Sequence, residues 1–278
     1  MANFNKKIST LFEDVLYQKI IRNLLLMSKF GRQSVLGEAA TGYNFDYMYQ
    51  NKPSGYNPLG YLVDSILLNL PSVQATRNRR NNLIKILSNE VENNKISGKV
   101  TMIVDVACGT GRYLLDIAQL FKGQAIETVA VDYDKKSIRY GQALAKEYDV
   151  PETSLRFVRG NVFRLSLLKK FGGGIDWKPN IIVASGLTVY IDDNKSIDVM
   201  KNAYDALDDG GMFLFDSQEN NPSRKLMEKI GKTKEGAWVL YYRKPNFWRE
   251  WLHKIGFQDI IISRDQWNMY NLCTARKI

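Results

Sequence analysis

Residues 100–121 read VTMIVDVACGTGRYLLDIAQLF, and their order decides the fold. Val100–Val106 is a β-rich apolar run, Ala107–Gly111 is a tight turn of small residues, and Arg112–Phe121 carries helical periodicity. Strand, glycine turn and helix in that order open a βαβ unit. In a doubly wound sheet the ligand lies beyond the carboxyl ends of the strands, where small residues let the backbone approach it and a helix begins.

The same texture continues downstream. Glu127–Val131 reads as a strand that ends at Asp132, and Asp134 is placed to cap a helix running to about Tyr148. Leu155–Arg159 and Ile181–Ala184 are further strands. Asp192 or Asp193 caps a helix to about Leu207, Gly210-Gly211 turns the chain, and Met212–Phe215 is the fifth strand. After a looser stretch with a hairpin expected around Trp238–Tyr242, a helix at Phe247–Lys254 precedes two closing strands, Asp259–Ser263 and Tyr270–Ala275. The expected fold is α/β: a doubly wound, mostly parallel seven-stranded sheet over residues 100–278, with an N-terminal helical extension over residues 1–99.

In that extension Ile8, Leu11, Phe12, Val15, Leu16, Ile20 and Leu24 recur at helical spacing, so residues 8–30 read as one amphipathic helix. The accompanying Lys6, Lys7, Lys19 and Arg22 also suit a helix lying at a membrane interface. Gly37 to Pro58 reads as a glycine-, proline- and tyrosine-rich loop. A helix over Leu59–Leu70 is expected to stop at Pro71, and another covers Gln74–Asn93. The polar run from Glu90 to Gly98 marks the boundary.

Composition narrows the function. A chain of 278 residues that is 45% hydrophobic and 24% charged is of the globular class, and no stretch reaches the roughly 18 to 20 apolar residues of a membrane span. No signal-peptide pattern follows Met1, and two cysteines without CxxC spacing suit a reducing compartment, so a cytoplasmic location without a metal centre is expected. The single histidine, His253, would have to carry any Ser-His-Asp or Cys-His mechanism, and its place among Trp248, Trp251 and Leu252 favours packing. The net charge of +10 is spread thinly, with a modest excess in residues 1–99 (13 Lys/Arg against 7 Asp/Glu), which argues against a nucleic-acid partner.

The glycine turn and Asp132, 21 residues after Gly111 and placed to hydrogen-bond a ribose diol, point to a nucleoside-containing ligand. A dinucleotide fingerprint in this register needs glycine at 107, 109 and 112, where the chain has Ala107, Gly109 and Arg112, and no phosphate-loop motif occurs. Asp105-x-Ala107-x-Gly109-x-Gly111 instead resembles the first motif of the class I S-adenosylmethionine-dependent methyltransferases, [DE]-x-G-x-G-x-G, with Ala107 for its first glycine. The resemblance extends to Asp132, to Arg159-Gly-Asn161-Val-Phe163, to Ser185-Gly186, to the Gly210-Gly211 turn and to Gly256-Phe257. It implies S-adenosyl-L-methionine as cofactor, held by Asp105, Ala107, Gly109, Gly111, Asp132, Tyr133, Asn161, Val162 and Ser185. Asn161 stands where the family has an acidic residue, and its amide oxygen can accept the same bond. Asp46-Tyr-Met-Tyr49, Asn51-Lys-Pro-Ser-Gly55, Pro58-Leu-Gly60, Asp64, Asn69, Arg77 and Arg80 resemble the leader of a bacterial putative methyltransferase family of unassigned substrate, which implies that the leader roofs the site.

The resemblance implies in-line displacement on an activated methyl, for which the protein supplies alignment and a dry pocket, and a base only where the acceptor must lose a proton. Candidates for that base are Tyr190, Asp192 and Asp216, with helix capping the competing role of Asp192 and Asp193. Tyr47, Tyr49 and Tyr190 are candidates for the acceptor, which is expected to be a small hydrophobic molecule. Two alternatives stay open: an RNA- or membrane-associated methyltransferase steered by the basic N-terminal segment, and a non-methylating transferase on the same fold. The oligomeric state is open as well.

Overall fold

The computed structural model describes residues 15–163 and 178–278. A π-helical turn (Leu16–Ile21) leads into helices α1 (Arg22–Met27), α2 (Lys29–Val35), α3 (Gly42–Gln50), α4 (Pro58–Leu68) and α5 (Pro71–Ile96). Strand and helix then alternate: β1 (Thr101–Asp105), α6 (Arg112–Leu120), β2 (Ile126–Asp132), α7 (Lys135–Glu147), β3 (Leu155–Arg159), β4 (Ile181–Ala184), a 3₁₀ turn (Thr188–Tyr190), α8 (Asp193–Ala206) and β5 (Met212–Gln218). Helix α9 (Arg224–Ile230), a small hairpin of β6 (Lys232–Thr233) and β7 (Gly236–Ala237), helix α10 (Pro245–Ile255), β8 (Gln258–Arg264) and β9 (Tyr270–Arg276) complete the chain.

The seven-stranded sheet has the order β3-β2-β1-β4-β5-β9-β8. β1 to β5 pair in parallel and β9 runs antiparallel to both β5 and β8. This is the doubly wound, mostly parallel α/β fold expected from the sequence. The central strands are buried on both faces, which is why they read as unbroken apolar runs. Ile103, Ile181, Val183, Met212 and Leu214 join one core with Leu83, Leu87 and Val91 of α5 and Tyr113, Leu114 and Ile117 of α6. Val104, Ile182, Ala184, Phe213 and Phe215 join the other with Ile197, Met200 and Ala203 of α8 and Trp248 and Leu252 of α10. Strand order reverses between β1 and β4, so the chain carries its switch point directly after the glycine turn.

Two compact units divide the chain: residues up to Arg77 with Asn221–Val239, and Asn78–Asn220 with Leu240–Ile278. The expected cut at residue 99 differs from this division. Leu83, Leu87 and Val91, one face of α5 at four-residue spacing, are core residues of the sheet unit, so 78–99 belong with it. In the first unit Leu25, Phe30, Val35, Tyr47, Met48, Leu67, Leu68, Val73 and Ile230 form a separate core.

The chain departs from its expected elements in four places. The expected helix over 8–30, whose residues 8–14 lie outside the described residues, is broken at Ser28, which is extended (φ −90°, ψ 147°) and accepts the Gly31 N–H to start α2. The expected loop over 37–58 contains α3, entered from Thr41 and closed by left-handed Asn51 (φ 51°). Pro71 begins α5, as proline's fixed φ suits a first helical position, and does not merely end α4. The hairpin lies at 232–237, earlier than expected, with Gly236 at φ 133° directly after its two-residue turn. Among the described residues no helix is long and apolar enough to cross a membrane.

Candidate active site at the carboxyl ends of the parallel strands

Asp105 ends β1 with its carboxylate fully buried. One oxygen accepts the Ala107 N–H at 2.9 Å and the other accepts the hydroxyl of Tyr113, in the first turn of α6. Gly109 (φ 57°) and Gly111 (φ 65°) hold left-handed conformations, and a Cβ on Gly111 would stand 2.9 Å from the Phe157 ring. The turn is tied to the end of β2: the Cys108 N–H donates to the Val131 carbonyl at 3.0 Å and the Gly109 N–H to Asp132 Oδ2 at 2.8 Å. Asp132 Oδ1 accepts the Asp134 N–H at 2.8 Å, and Asp134 caps α7 by accepting from Ser137 N at 3.1 Å.

This crowding of carboxylates sets the electrostatics. Burial pushes Asp105 up to about 7; the bonds from Tyr113 and Ala107 pull it back, and the charges of Asp132 and Asp216 add to the rise. Burial likewise raises Asp132, against the N–H groups of Asp134 and Gly109. The Cys108 thiol, buried and facing Asp105 and Asp132, is held well above its ordinary value. It is therefore a poor nucleophile.

A second cluster closes β4 and β5. Asp216 is fully buried and accepts the Ser185 hydroxyl at 2.5 Å and the Gly186 N–H at 3.0 Å, while its carbonyl accepts the Thr188 hydroxyl at 2.6 Å. Arg79 of α5, also buried, donates to Asp216 Oδ1 at 3.4 Å and stacks 4.8 Å over the Tyr270 ring. A Cβ on left-handed Gly186 (φ 71°) would lie 3.2 Å from Arg79 Nη1, so glycine there meets both a backbone and a space requirement.

Arg243 fixes the segment after β4. Its Nη1 donates to the Thr188 carbonyl and its Nη2 to the Ile191 carbonyl, each at 2.6 Å, and its Nε donates to Asp193 Oδ1 at 2.7 Å. The guanidinium is 5% exposed and lies over the rings of Tyr241, Phe247 and Trp248. Its backbone N–H donates to the Gln218 carbonyl at 2.8 Å, so one residue joins the end of β5 to the turn that bears Tyr190.

The residues singled out in the sequence fall into three groups. Asp105, Ala107, Gly109, Gly111 and Asp132 share the β1–β2 end, while Ser185 and Asp216 share the β4–β5 end. Tyr133 and Asn161 are exposed after β2 and β3, Asn161 Oδ1 accepts the Phe163 N–H at 3.0 Å, and Val162 is buried. Asp192 caps α8 by accepting the Lys195 N–H, which holds its carboxyl below the ordinary range, and it is 44% exposed. Tyr47 and Tyr49 sit on α3 in the other unit, where the Tyr47 hydroxyl donates to Asp64 at 2.6 Å. Asp64 also accepts from Ser28 Oγ and from the N–H groups of Phe30 and Ser54, so the leader motif converges on one buried carboxylate. His253 is exposed on α10, and among the described residues no cluster of His, Cys, Asp and Glu is arranged to hold a metal ion.

Sequence reasoning missed the roles of Arg79 and Arg243. Arg79 and Arg243 reach partners 50 or more residues away, for which no local signal exists.

Known proteins resemble this chain in sequence or in fold. The chain is 26% identical over 239 residues to the uncharacterized protein YnbC of Escherichia coli (strain K12), covering 84% of this chain and 40% of that protein. It thus spans well under half the length of that relative. A "possible exported protein" of Bordetella parapertussis superposes with a TM-score of 0.71 at 18% identity, over 92% of this chain and 85% of that one. The magnesium protoporphyrin IX methyltransferase of Synechocystis PCC 6803, solved with SAH bound, superposes with a TM-score of 0.59 at 12% identity, over 88% of this chain and 99% of that one. At these identities the superpositions establish the fold. A family model described as putative methyltransferase matches residues 5–277, and the chain belongs to that methyltransferase family.

Proposed function

We propose that the protein transfers a methyl group from S-adenosyl-L-methionine to a small hydrophobic acceptor. The observation that carries this reading is the bond from Gly109 N–H to Asp132 Oδ2, which sets a turn of small residues beside a carboxylate at the switch point of the sheet. The site's chemistry fits the cofactor. Left-handed Gly109 and Gly111 leave two positions of the turn without a side chain, Asp132 suits a ribose diol, and the Asn161 amide suits an adenine edge. We assign cofactor binding to Asp105, Ala107, Gly109, Gly111, Asp132, Tyr133, Asn161, Val162 and Ser185.

S-adenosyl-L-methionine supplies a methyl carbon already activated by its sulfonium, so the residues of this chain need mainly to orient the reactants and exclude water. Asp105 positions the turn through Ala107 and Tyr113. Asp216, engaged by Arg79, Ser185 and Gly186, is a positioning residue for the segment after β4 and is poorly suited to act as a base. Tyr190, on the turn clamped by Arg243, is the residue we assign to the acceptor side. The buried, unpaired thiols of Cys108 and Cys273 accord with work in a reducing compartment, which we take to be the cytoplasm.

Incubation with methyl-labelled S-adenosyl-L-methionine and fractionated cell extract tests the acceptor class. Label is expected in organic-extractable small molecules; label confined to RNA or protein contradicts it.

A further inference from the structure

Helix α4 presents an apolar face with no charge on it. Its one charged residue, Asp64, is buried and bonded to Ser28, Phe30, Tyr47 and Ser54, while Leu59 (48% exposed), Leu62 (55%) and Ile66 (57%) line up at helical spacing on the outside with Tyr61 (54%) beside them. Such a contiguous face on a surface helix marks an interaction site, since isolated exposed apolar residues are the ordinary case. The start of α4 lies against the α1–α2 junction: Tyr56 N–H donates to the Met27 carbonyl at 3.0 Å, and a Cβ on Gly60 would stand 2.0 Å from that same oxygen. Ile20 and Leu24, four residues apart and both exposed, precede that junction.

Cations outnumber carboxylates along this part of the chain, and Lys29, whose N–H donates to the Ser54 carbonyl, and Arg32 stand beside the start of α4. From Val15 to Leu70 the chain has Lys19, Arg22, Lys29, Arg32 and Lys52, against Glu38, Asp46 and Asp64. Asp46 and Asp64 are fully buried. Arg32 lies 5.0 Å over the ring of Tyr56, itself 67% exposed, which pairs an amphipathic ring with a guanidinium next to the first turn of α4. An uncharged aliphatic centre with tyrosines and a basic border is the arrangement that seats in the headgroup region of an anionic bilayer.

We propose that the outer face of α4, with Tyr56 and its basic border, docks the protein peripherally on anionic lipid. The surface belongs to the first unit and stands independently of the cofactor assignment; it also suits a hydrophobic acceptor drawn from the bilayer.

The test is co-sedimentation of the full chain with phosphatidylglycerol/phosphatidylcholine vesicles and with pure phosphatidylcholine vesicles. Wild-type protein is expected to partition onto the anionic vesicles, to be released by about 0.5 M NaCl, and to bind phosphatidylcholine at least about tenfold more weakly. The double variant Leu62→Glu/Ile66→Glu, at positions already in solvent, is expected to lose at least about tenfold of the partitioning, and Lys52→Glu/Arg32→Glu to lose the salt-sensitive part. No binding of wild-type protein to anionic vesicles, or unchanged binding of the Leu62/Ile66 variant, overturns the proposal. So does a wild-type dimer that this variant splits without any vesicle binding, which would make the face a self-association surface. Calorimetry with S-adenosyl-L-methionine on the same variant separates the two readings, because retained cofactor binding leaves the methyltransferase assignment standing whatever the vesicles show.

Discussion

Arg79 and Asp216 meet at 3.4 Å with both side chains buried, joining a helix that precedes β1 to the end of β5. A buried ion pair adds little over apolar packing, but removing one partner strands the other charge. Together with the Leu83, Leu87 and Val91 core, the pair ties α5 from Asn78 onward to the sheet and holds Asp216 as an anchor.

Arg79→Met should lower unfolding stability by about 3 kcal/mol, because Asp216 loses its cation in a buried setting. Adding Asp216→Asn should recover part of that loss. Urea denaturation of the single and double variants measures both, and an additive double variant would deny the coupling.

Asp105 makes stability depend on pH. Its folded value of about 7 lies above the ordinary 3.8, so the folded state holds a proton that the unfolded state releases between those values. The stabilisation is fully present below about pH 4 and is lost as the pH rises through about 7, a change of roughly 4 kcal/mol. Asp105→Asn keeps the side-chain volume and removes the titration, so its stability relative to wild type should increase from pH 4 to pH 8. Equal pH slopes for the two proteins would contradict the assignment.

Arg243→Ala should leave the Thr188 and Ile191 carbonyls without their charged donor, costing about 3 kcal/mol. Amide exchange over 187–193 should rise sharply, whereas cofactor affinity, which we assign mainly to the β1–β2 end, should change by less than about threefold. Guanidinium at millimolar concentration should restore part of the protection. Exchange unchanged over that segment would remove Arg243 as its clamp.

Gly111→Ala forces a side chain into a left-handed position (φ 65°) and a Cβ to within 2.9 Å of the Phe157 ring. A loss of about 2 kcal/mol is expected, with weaker cofactor binding. Thermal melting against wild type decides it.

How much of this was legible in the sequence depended on how local each determinant is. The β1 strand, its glycine turn, α6 and the Asp134 cap are specified by neighbouring residues, and they stand where they were read. Helix α3 was hidden because its glycine, asparagine and tyrosines carry no helical signal, and what holds it is distant: Tyr47 reaches Asp64, 17 residues on. Ser28 breaks the expected long helix for the same reason, since its hydroxyl donates to Asp64. At the candidate site, Gly109 and Gly111 were legible as turn chemistry, whereas Asp132 was read as a partner for a ribose and its bond to the Gly109 N–H was not. Arg79, 137 residues from Asp216, and Arg243, 55 from Thr188, were not, because a charge in sequence does not disclose its partner.

Isothermal titration calorimetry of S-adenosyl-L-methionine into wild-type protein and Asp132→Ala tests the central claim most directly. The predicted result is one-site binding in roughly the micromolar range by wild type, weakened at least about tenfold in a variant whose circular dichroism and melting confirm folding. Absence of binding to wild type, or equal affinity in Asp132→Ala, would contradict the account.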